Sequence, residues 1–117
     1  MNPSFYSIIE KTTSQDAATY RIALHPDSPI YQSHFPGRPI TPGACIIQMV
    51  QDLAQDHFAD PTLEVRHIAN LKFLTLLEPQ HHPTLEVHLH GTPNHLQATL
   101  TDGPLLFAKF TLTLTNN

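Results

Sequence analysis

The chain has 117 residues, of which 40% are hydrophobic and 14% charged, and its formal net charge is −4 at pH 7. This length predicts a single domain, residues 1–117, with a modest core. The composition is typical of a globular protein that also buries surface against a partner. The chain has only six Lys and Arg residues. This low number argues against nucleic-acid binding, which needs a basic face. There is no apolar run of membrane-span length and no recognisable signal peptide, and Cys45 is the only cysteine, so we expect a cytoplasmic, reduced protein.

The first half of the chain is predicted to contain two strands, a proline-rich loop and one helix. Residues 4–11 and 17–25 are predicted strands joined by a polar turn, and the second alternates apolar with polar residues. Residues 26–42 hold five prolines and are predicted to form no regular element. A loop of this length inside a compact domain is more often functional than accidental. From Gly43 to Phe58, apolar residues recur at helical spacing, which predicts an amphipathic helix.

The second half is predicted to be all strand. Residues 63–77 form one long predicted strand that bends or bulges near Ala69-Asn70. Turns at residues 91–94 and at 102–103 separate three further strands. One helix within antiparallel strands indicates an α+β fold whose sheet covers the apolar stripe of the helix. The predicted inward-facing residues are Leu71, Phe73, Thr75 and Leu77 in the first of these strands, then Leu85, Val87, Leu89, Leu96, Ala98, Leu100, Leu106, Ala108, Phe110, Leu112 and Leu114.

A proline-stiffened segment leads directly into the helix. Residues 34–43 read HFPGRPITPG, and they place His34 shortly before the predicted helix start at Gly43. Free N–H groups and the positive end of the helix dipole can polarise an oxygen at such a position. Histidine has an ordinary pKa near neutrality, which suits a general base. A lone loop histidine is more often only a polar residue, so the pattern by itself places a histidine next to a helix start and assigns it no reaction.

The same ten residues resemble the signature of the bacterial 3-hydroxyacyl-(acyl-carrier-protein) dehydratases of the FabZ and FabA type. The resemblance continues more loosely through IANLKFLTLLEP and DGPLLFAKFTLTL, so it covers most of the chain. It implies a hot-dog fold, in which an antiparallel sheet wraps around one long helix. It also implies dehydration of a (3R)-3-hydroxyacyl thioester to the trans-2-enoyl thioester in fatty-acid, related lipid or polyene biosynthesis, with no metal or organic cofactor.

The resemblance assigns expected roles to five residues of this segment. His34 would remove the proton from C2 of the substrate, and the N–H of Gly43 would polarise the thioester carbonyl. Phe35 and Pro42 would contact the substrate. Arg38 would meet the phosphate or the acidic surface of an acyl carrier protein, the expected partner. Because the site of this family is shared between subunits, a homodimer or higher homo-oligomer is expected.

One position departs from the family pattern. The family has an acidic residue fourteen positions after the histidine, where this chain has Gln48. An amide cannot act as a general acid, so Gln48 would only hydrogen-bond the leaving hydroxyl or a water, working with His34 of the other subunit. Asp52 follows one helical turn later on the same face, where relatives are often expected to have glutamine, and is a substrate-contacting candidate that could supply a proton through water. Three functions therefore remain open: a dehydratase, a hot-dog acyl thioesterase, and a partner subunit of an active dehydratase.

The remaining histidines and the cysteine are not assigned chemistry. His88 and His90 share a strand face and His95 lies across the predicted hairpin, but no carboxylate or thiolate completes a metal-ligand set. No metal site is predicted. Cys45 is expected to pack against its surroundings, since only the helix end could lower its pKa.

Overall fold

The computed structural model describes residues 5–34 and 37–116, with the side chains of 32–34 excepted. Eight helices and strands lie in these ranges. They are β1 (Tyr6–Ser14), β2 (Ala17–Leu24), α1 (Pro29–His34), α2 (Gly43–His57), β3 (Glu64–Phe73), β4 (Thr84–Thr92), β5 (His95–Asp102) and β6 (Leu105–Thr115).

The six strands form one antiparallel sheet in the order β1-β2-β4-β5-β6-β3, so β1 and β3 are its edges. The long helix α2 packs one apolar stripe against the inner face of this sheet. Alternate residues of the central strands supply the other side of the core, which confirms the predicted α+β class and the period-2 pattern of β2, β4 and β5. Core side chains from both layers include Tyr20, Ile22, Met49, Val50, Leu53, Val87, Leu89, Leu96, Leu100, Phe110 and Leu112.

Both edges of the sheet are hydrogen-bonded to α2. On the β1 side, the hydroxyl of Tyr6 donates to Asp52 at 3.0 Å. On the β3 side, the N–H of Val65 donates to Oε1 of Gln51 at 2.8 Å. Because strands at opposite edges reach the same helix, the sheet curves around α2 and leaves only one arc of the helix uncovered.

The proline-rich segment contains a helix that the sequence analysis did not expect. Residues 26–42 were predicted to form no regular element, and this prediction is wrong for α1, which occupies Pro29–His34. Pro29 stands at the first helical position, where a missing N–H costs no hydrogen bond. Tyr31 of this helix is buried, and its hydroxyl lies 2.9 Å from Oγ1 of Thr41. This contact ties α1 to the residues that immediately precede α2.

The predicted strand 63–77 is shorter than expected. The bulge near Ala69-Asn70 is confirmed, since Asn70 has a φ of 56° and the pairing with β6 shifts there. The strand ends at Phe73, so the predicted common face of residues 71–77 is wrong. Leu77 is buried, whereas Phe73 is 48% exposed. The bulge changes which face the following residues point to, and the chain then leaves the sheet.

A second bulge changes the last strand. Thr101 pairs with Leu106 and Leu100 pairs with Ala108, so Phe107 is the extra residue. Phe107 is buried and Leu106 is only half-buried, which corrects the predicted placement of Leu106 among the core residues. No helix in the described part of the chain is long and apolar enough to cross a membrane.

Candidate functional site

Two backbone N–H groups at the start of α2 have no acceptor among the described residues. Pro42 is the N-cap residue with extended backbone angles, φ −63° and ψ 146°, and it provides no side-chain cap. Its carbonyl accepts from the N–H of Cys45 and of Ile46. Within the described ranges, nothing accepts a hydrogen bond from the N–H of Gly43 or Ala44. These two donors and the positive end of the helix dipole are available to an external oxygen.

An apolar cleft of about 250 Å³ opens beside this helix start. Its walls come from the segment before α2, the first turn of α2, and the chain that leaves β3. Small-molecule sites usually enclose about 300–1,000 Å³, so the cleft of one chain is slightly too small for a whole ligand. Its lining includes Thr41, Pro42, Gly43, Ile46, Phe73 and Leu77.

The ring of Phe73 lies directly against Gly43. A Cβ on Gly43 would lie only 2.9 Å from both Cε2 and Cζ of the Phe73 ring. Any larger residue would therefore displace the ring or be displaced by it. The alternation of residues 71–77 predicts Phe73 on a strand face and gives no link between Phe73 and Gly43. Its position inside the family-like stretch IANLKFLTLLEP was the only signal for it.

Gln48 and Asp52 lie together on the uncovered arc of α2. Nε2 of Gln48 donates to Oδ1 of Asp52 at 3.0 Å, while the Tyr6 hydroxyl donates to Oδ2. Burial and the neighbouring Asp52 carboxylate raise the pKa of Tyr6 above its usual range, so this hydroxyl stays a donor. An ionised carboxylate only accepts, which fixes the orientation of the Gln48 amide. Oε1 of Gln48 and its other N–H have no partner among the described residues.

A second carboxylate anchors α2 to the strands one turn further on. Oδ2 of Asp56 accepts from Lys11 Nζ at 2.9 Å and from the Tyr20 hydroxyl at 2.7 Å. The hydrogen bond from Lys11, followed by that from Tyr20, lowers the pKa of Asp56. This anchor holds the middle of β1 and β2 to the last turns of α2.

Arg38 is paired within the chain. Its Nε donates to Oε1 of Glu78 at 3.0 Å, and this hydrogen bond lowers the pKa of the Glu78 carboxyl. The Arg38 side chain is still 65% exposed. Its other guanidinium nitrogens can meet an anion, but part of its charge is already compensated.

The structure brings together some of the predicted site residues. Pro42 and Gly43 share the cleft, while Gln48 and Asp52 share the arc of α2. The backbone of His34 ends α1, but its side chain lies outside the described part of the structure, as does the whole of Phe35. The roles predicted for these residues stay predictions.

The groups that were not assigned chemistry are in ordinary surroundings. His88 lies between the hydroxyls of Thr19 and Thr101, at 3.2 and 3.1 Å. Among the side chains that the structure describes, no three His, Cys, Asp or Glu residues come together as metal ligands. Burial raises the pKa of the Cys45 thiol, and Cys45 packs against the core as expected.

A protein-family match covers most of this sequence. The ApeI-like family, described as ApeI dehydratase, matches residues 10–105, which is more than half of the chain. The chain belongs to the ApeI-like dehydratase family. The predicted dehydratase family is thereby confirmed, although the match is to the ApeI-like branch and not to FabZ itself.

Two solved structures share the fold of this ApeI-like chain. A chain of the dehydratase heterocomplex ApeI:P from Xenorhabdus doucetiae is 24% identical, with a TM-score of 0.78 and coverage of 97% of this chain and 98% of that one. An uncharacterised protein from Erwinia carotovora subsp. atroseptica is 21% identical, with a TM-score of 0.67 and coverage of 99% and 98%. These likenesses confirm the hot-dog fold. No curated protein matches the chain.

The Asp56 anchor predicts a specific acid sensitivity. A carboxylate whose pKa is lower in the folded than in the unfolded chain stabilises the fold. This stabilisation is fully present at pH values above the pKa of the unfolded chain, and it is lost as the pH falls through the pKa of the folded chain. Asp56→Asn should therefore lower stability at pH 7 and flatten the decline in stability between about pH 5 and pH 2. Urea unfolding at several pH values measures both effects. The control is Asp27→Asn, because Asp27 is exposed and forms no ion pair in the described part of the chain. Equal pH profiles for wild type and Asp56→Asn would contradict the anchor.

Proposed function

We propose that this ApeI-like chain catalyses the reversible dehydration of a (3R)-3-hydroxyacyl thioester, carried on acyl carrier protein, to the trans-2-enoyl thioester. The observation that carries the proposal is the uncapped start of α2 at Gly43, facing an apolar cleft, in a chain of a dehydratase family. Two free N–H groups match a thioester carbonyl, and the apolar walls match the acyl chain next to it.

The proposed reaction removes one proton from the substrate and returns one proton to the leaving hydroxyl. His34 takes the proton from C2, and the electron pair forms the double bond as the C3–O bond breaks. Negative charge that develops on the thioester oxygen is stabilised by the N–H of Gly43. The hydroxyl leaves as water, so it must gain one proton, and the protonated imidazole carries one. No oxidant, reductant or further reactant is needed.

Gln48 would orient the hydroxyl rather than protonate it. Its free Oε1 can accept from the substrate hydroxyl, and its remaining N–H can donate to the same oxygen or to a water. Asp52 already accepts from Gln48 and from Tyr6, one bond to each oxygen. The carboxylate is thereby directed toward β1 and toward Gln48, which favours a positioning role for Asp52 over direct replacement of the missing acid.

A complete site requires two chains. Gln48 follows Gly43 by five residues, which places it about 140° around the helix and about 7.5 Å along its axis. The two groups are therefore well separated on one chain, and the cleft of one chain is also small. We propose that Gln48 of one subunit completes the cleft of the other, in a homodimer or larger homo-oligomer that takes its substrate from acyl carrier protein.

A second candidate is a heteromeric enzyme in which this chain is the partner of an active dehydratase subunit. Two observations favour it. Gln48 replaces the acid expected of the dehydratases that the sequence resembles, and the similar Xenorhabdus doucetiae structure is a dehydratase heterocomplex. In such a pair, this chain would supply its cleft and the other chain would supply the acid.

The first test of the proposal is mass spectrometry of a 3-hydroxyacyl carrier protein incubated with the purified chain. A dehydratase removes water from the acyl group, a thioesterase releases free acid, and a partner subunit alone does neither. If His34 is the base, His34→Ala should reduce dehydration by about 10²- to 10⁴-fold. His95→Ala, an exposed strand histidine, is the control. Dehydration by His34→Ala within about tenfold of wild type would exclude this role.

Gln48→Glu tests whether only the acid is missing. The new carboxylate would lie about 3 Å from Oδ1 of Asp52, and two carboxylates this close share a proton, which raises one of their pKa values. A chain that lacks only its acid should then dehydrate faster, with a bell-shaped pH profile. Gln51→Glu is the matched control, because residue 51 keeps the oxygen that accepts from Val65. A decrease in rate would mean that the site depends on the amide.

The two-chain site predicts the mass of the particle in solution. Light scattering at micromolar concentration should give at least about twice the 13.1 kDa of one chain. Because the monomer leaves the cleft incomplete, a monomeric protein would contradict the shared site. A monomer that becomes active only when mixed with a second dehydratase chain would instead support the heteromeric candidate.

A further inference from the structure

Phe73 combines two properties that rarely occur together. Its side chain is 48% exposed, which is unusual for a large aromatic group in a well-packed fold. Yet two atoms of its ring lie 2.9 Å from the position that a Cβ on Gly43 would take. The ring is therefore open to solvent on one side and rests on the start of α2 with the other.

The backbone around Phe73 is held firmly. Phe73 is the last residue of β3 and pairs with Ala108 of β6. Directly after it, the N–H of Leu74 and the N–H of Thr75 both donate to the carbonyl of Phe107, at 2.8 and 3.3 Å. With the main chain fixed on both sides, the ring can move only by rotation about its side-chain bonds.

The residues that follow Phe73 are also apolar and exposed. Leu74 and Leu76, which follow Phe73, are 54% and 52% exposed. Leu76 lines the same cleft as Phe73 and Gly43. Rotation would exchange one apolar contact for another, so the two ring positions need not differ greatly in free energy.

We propose that the Phe73 ring is a side-chain gate that covers Gly43 in the empty site and rotates away when a thioester binds. The proposal rests on the proposed function, since it takes the Gly43 N–H as the group that binds the thioester carbonyl. The ring lies 2.9 Å from the position that a Cβ on Gly43 would take and lines the same cleft, so it stands beside the N–H that the carbonyl would approach. Phe73 thus controls access to the cleft and contributes to the choice of acyl thioester.

The gate and a fixed wall predict opposite effects of removing the ring. If only molecules with an open gate bind substrate, the apparent Kd equals the intrinsic Kd divided by the open fraction. An open fraction of about 10% would therefore raise KM about tenfold. Phe73→Ala should then lower KM for the acyl thioester by up to about tenfold. If the ring is a wall that contacts the acyl chain in the bound state, the same substitution should raise KM. A raised KM would overturn the gate.

A fluorine label reports the ring position without any need for turnover. 4-Fluorophenylalanine at position 73 should change its ¹⁹F shift when the amide analogue of hexanoyl pantetheine is added. The same label at Phe58, at the far end of α2, is the matched control and should not change. Binding of the analogue without a shift at position 73 would contradict the gate even if the chain is a dehydratase.

Gly43→Ala provides a test that needs no ligand. The added methyl group would occupy the space of the closed ring, so the ¹⁹F label at position 73 should shift in the empty protein toward its ligand-bound value. If the label keeps its wild-type shift in Gly43→Ala, the ring does not have a second position and the proposal fails. If the label shifts but no hydroxyacyl thioester is dehydrated, the gate stands and the proposed function fails.

Discussion

The architecture depends on the way both edges of one sheet are fastened to a single helix. Tyr6 on β1 and Val65 on β3 lie at opposite edges of a six-stranded sheet, yet each hydrogen-bonds to a side chain of α2. The sheet must therefore curl around the helix and bury its apolar stripe. In the described part of the chain, the arc of α2 around Gln48 and its first turn at Gly43 stay partly exposed.

The same constraint holds the cleft open. Thr41 precedes α2 and donates its N–H to the carbonyl of Leu77 at 2.8 Å, so the two walls of the cleft are connected at its base. Tyr31 adds a hydroxyl contact to Thr41 from α1. With its walls fixed in this way, the cleft can change shape mainly through side chains such as Phe73.

The sequence was informative where structure follows local periodicity. The alternation in β2, β4 and β5 and the helical spacing after Gly43 depend on neighbours within a few residues. α1 was missed because prolines were counted as breakers, although Pro29 starts a helix without losing a bond. The contact between Phe73 and Gly43, like that between Tyr6 and Asp52, joins residues far apart in the chain and depends on a bulge and on sheet curvature. Neither leaves a local pattern.

The position of the Asp52 carboxylate on α2 bears on whether a second copy or a different chain would supply a proton donor. A resemblance to dehydratases with an acid at position 48 implies a proton donor in the middle of the uncovered arc. Here the amide occupies that position, and the carboxylate stands one turn later, about 6 Å along the axis. Asp52 is also held by Tyr6, which directs it toward β1 of its own chain. In the proposed shared site, a second copy would therefore offer only an amide to the cleft of its neighbour. A different chain with an acid at this position would restore the proton donor. In such a mixed dimer, the cleft of this chain would receive an acid, and the cleft of the other chain would receive the amide of Gln48.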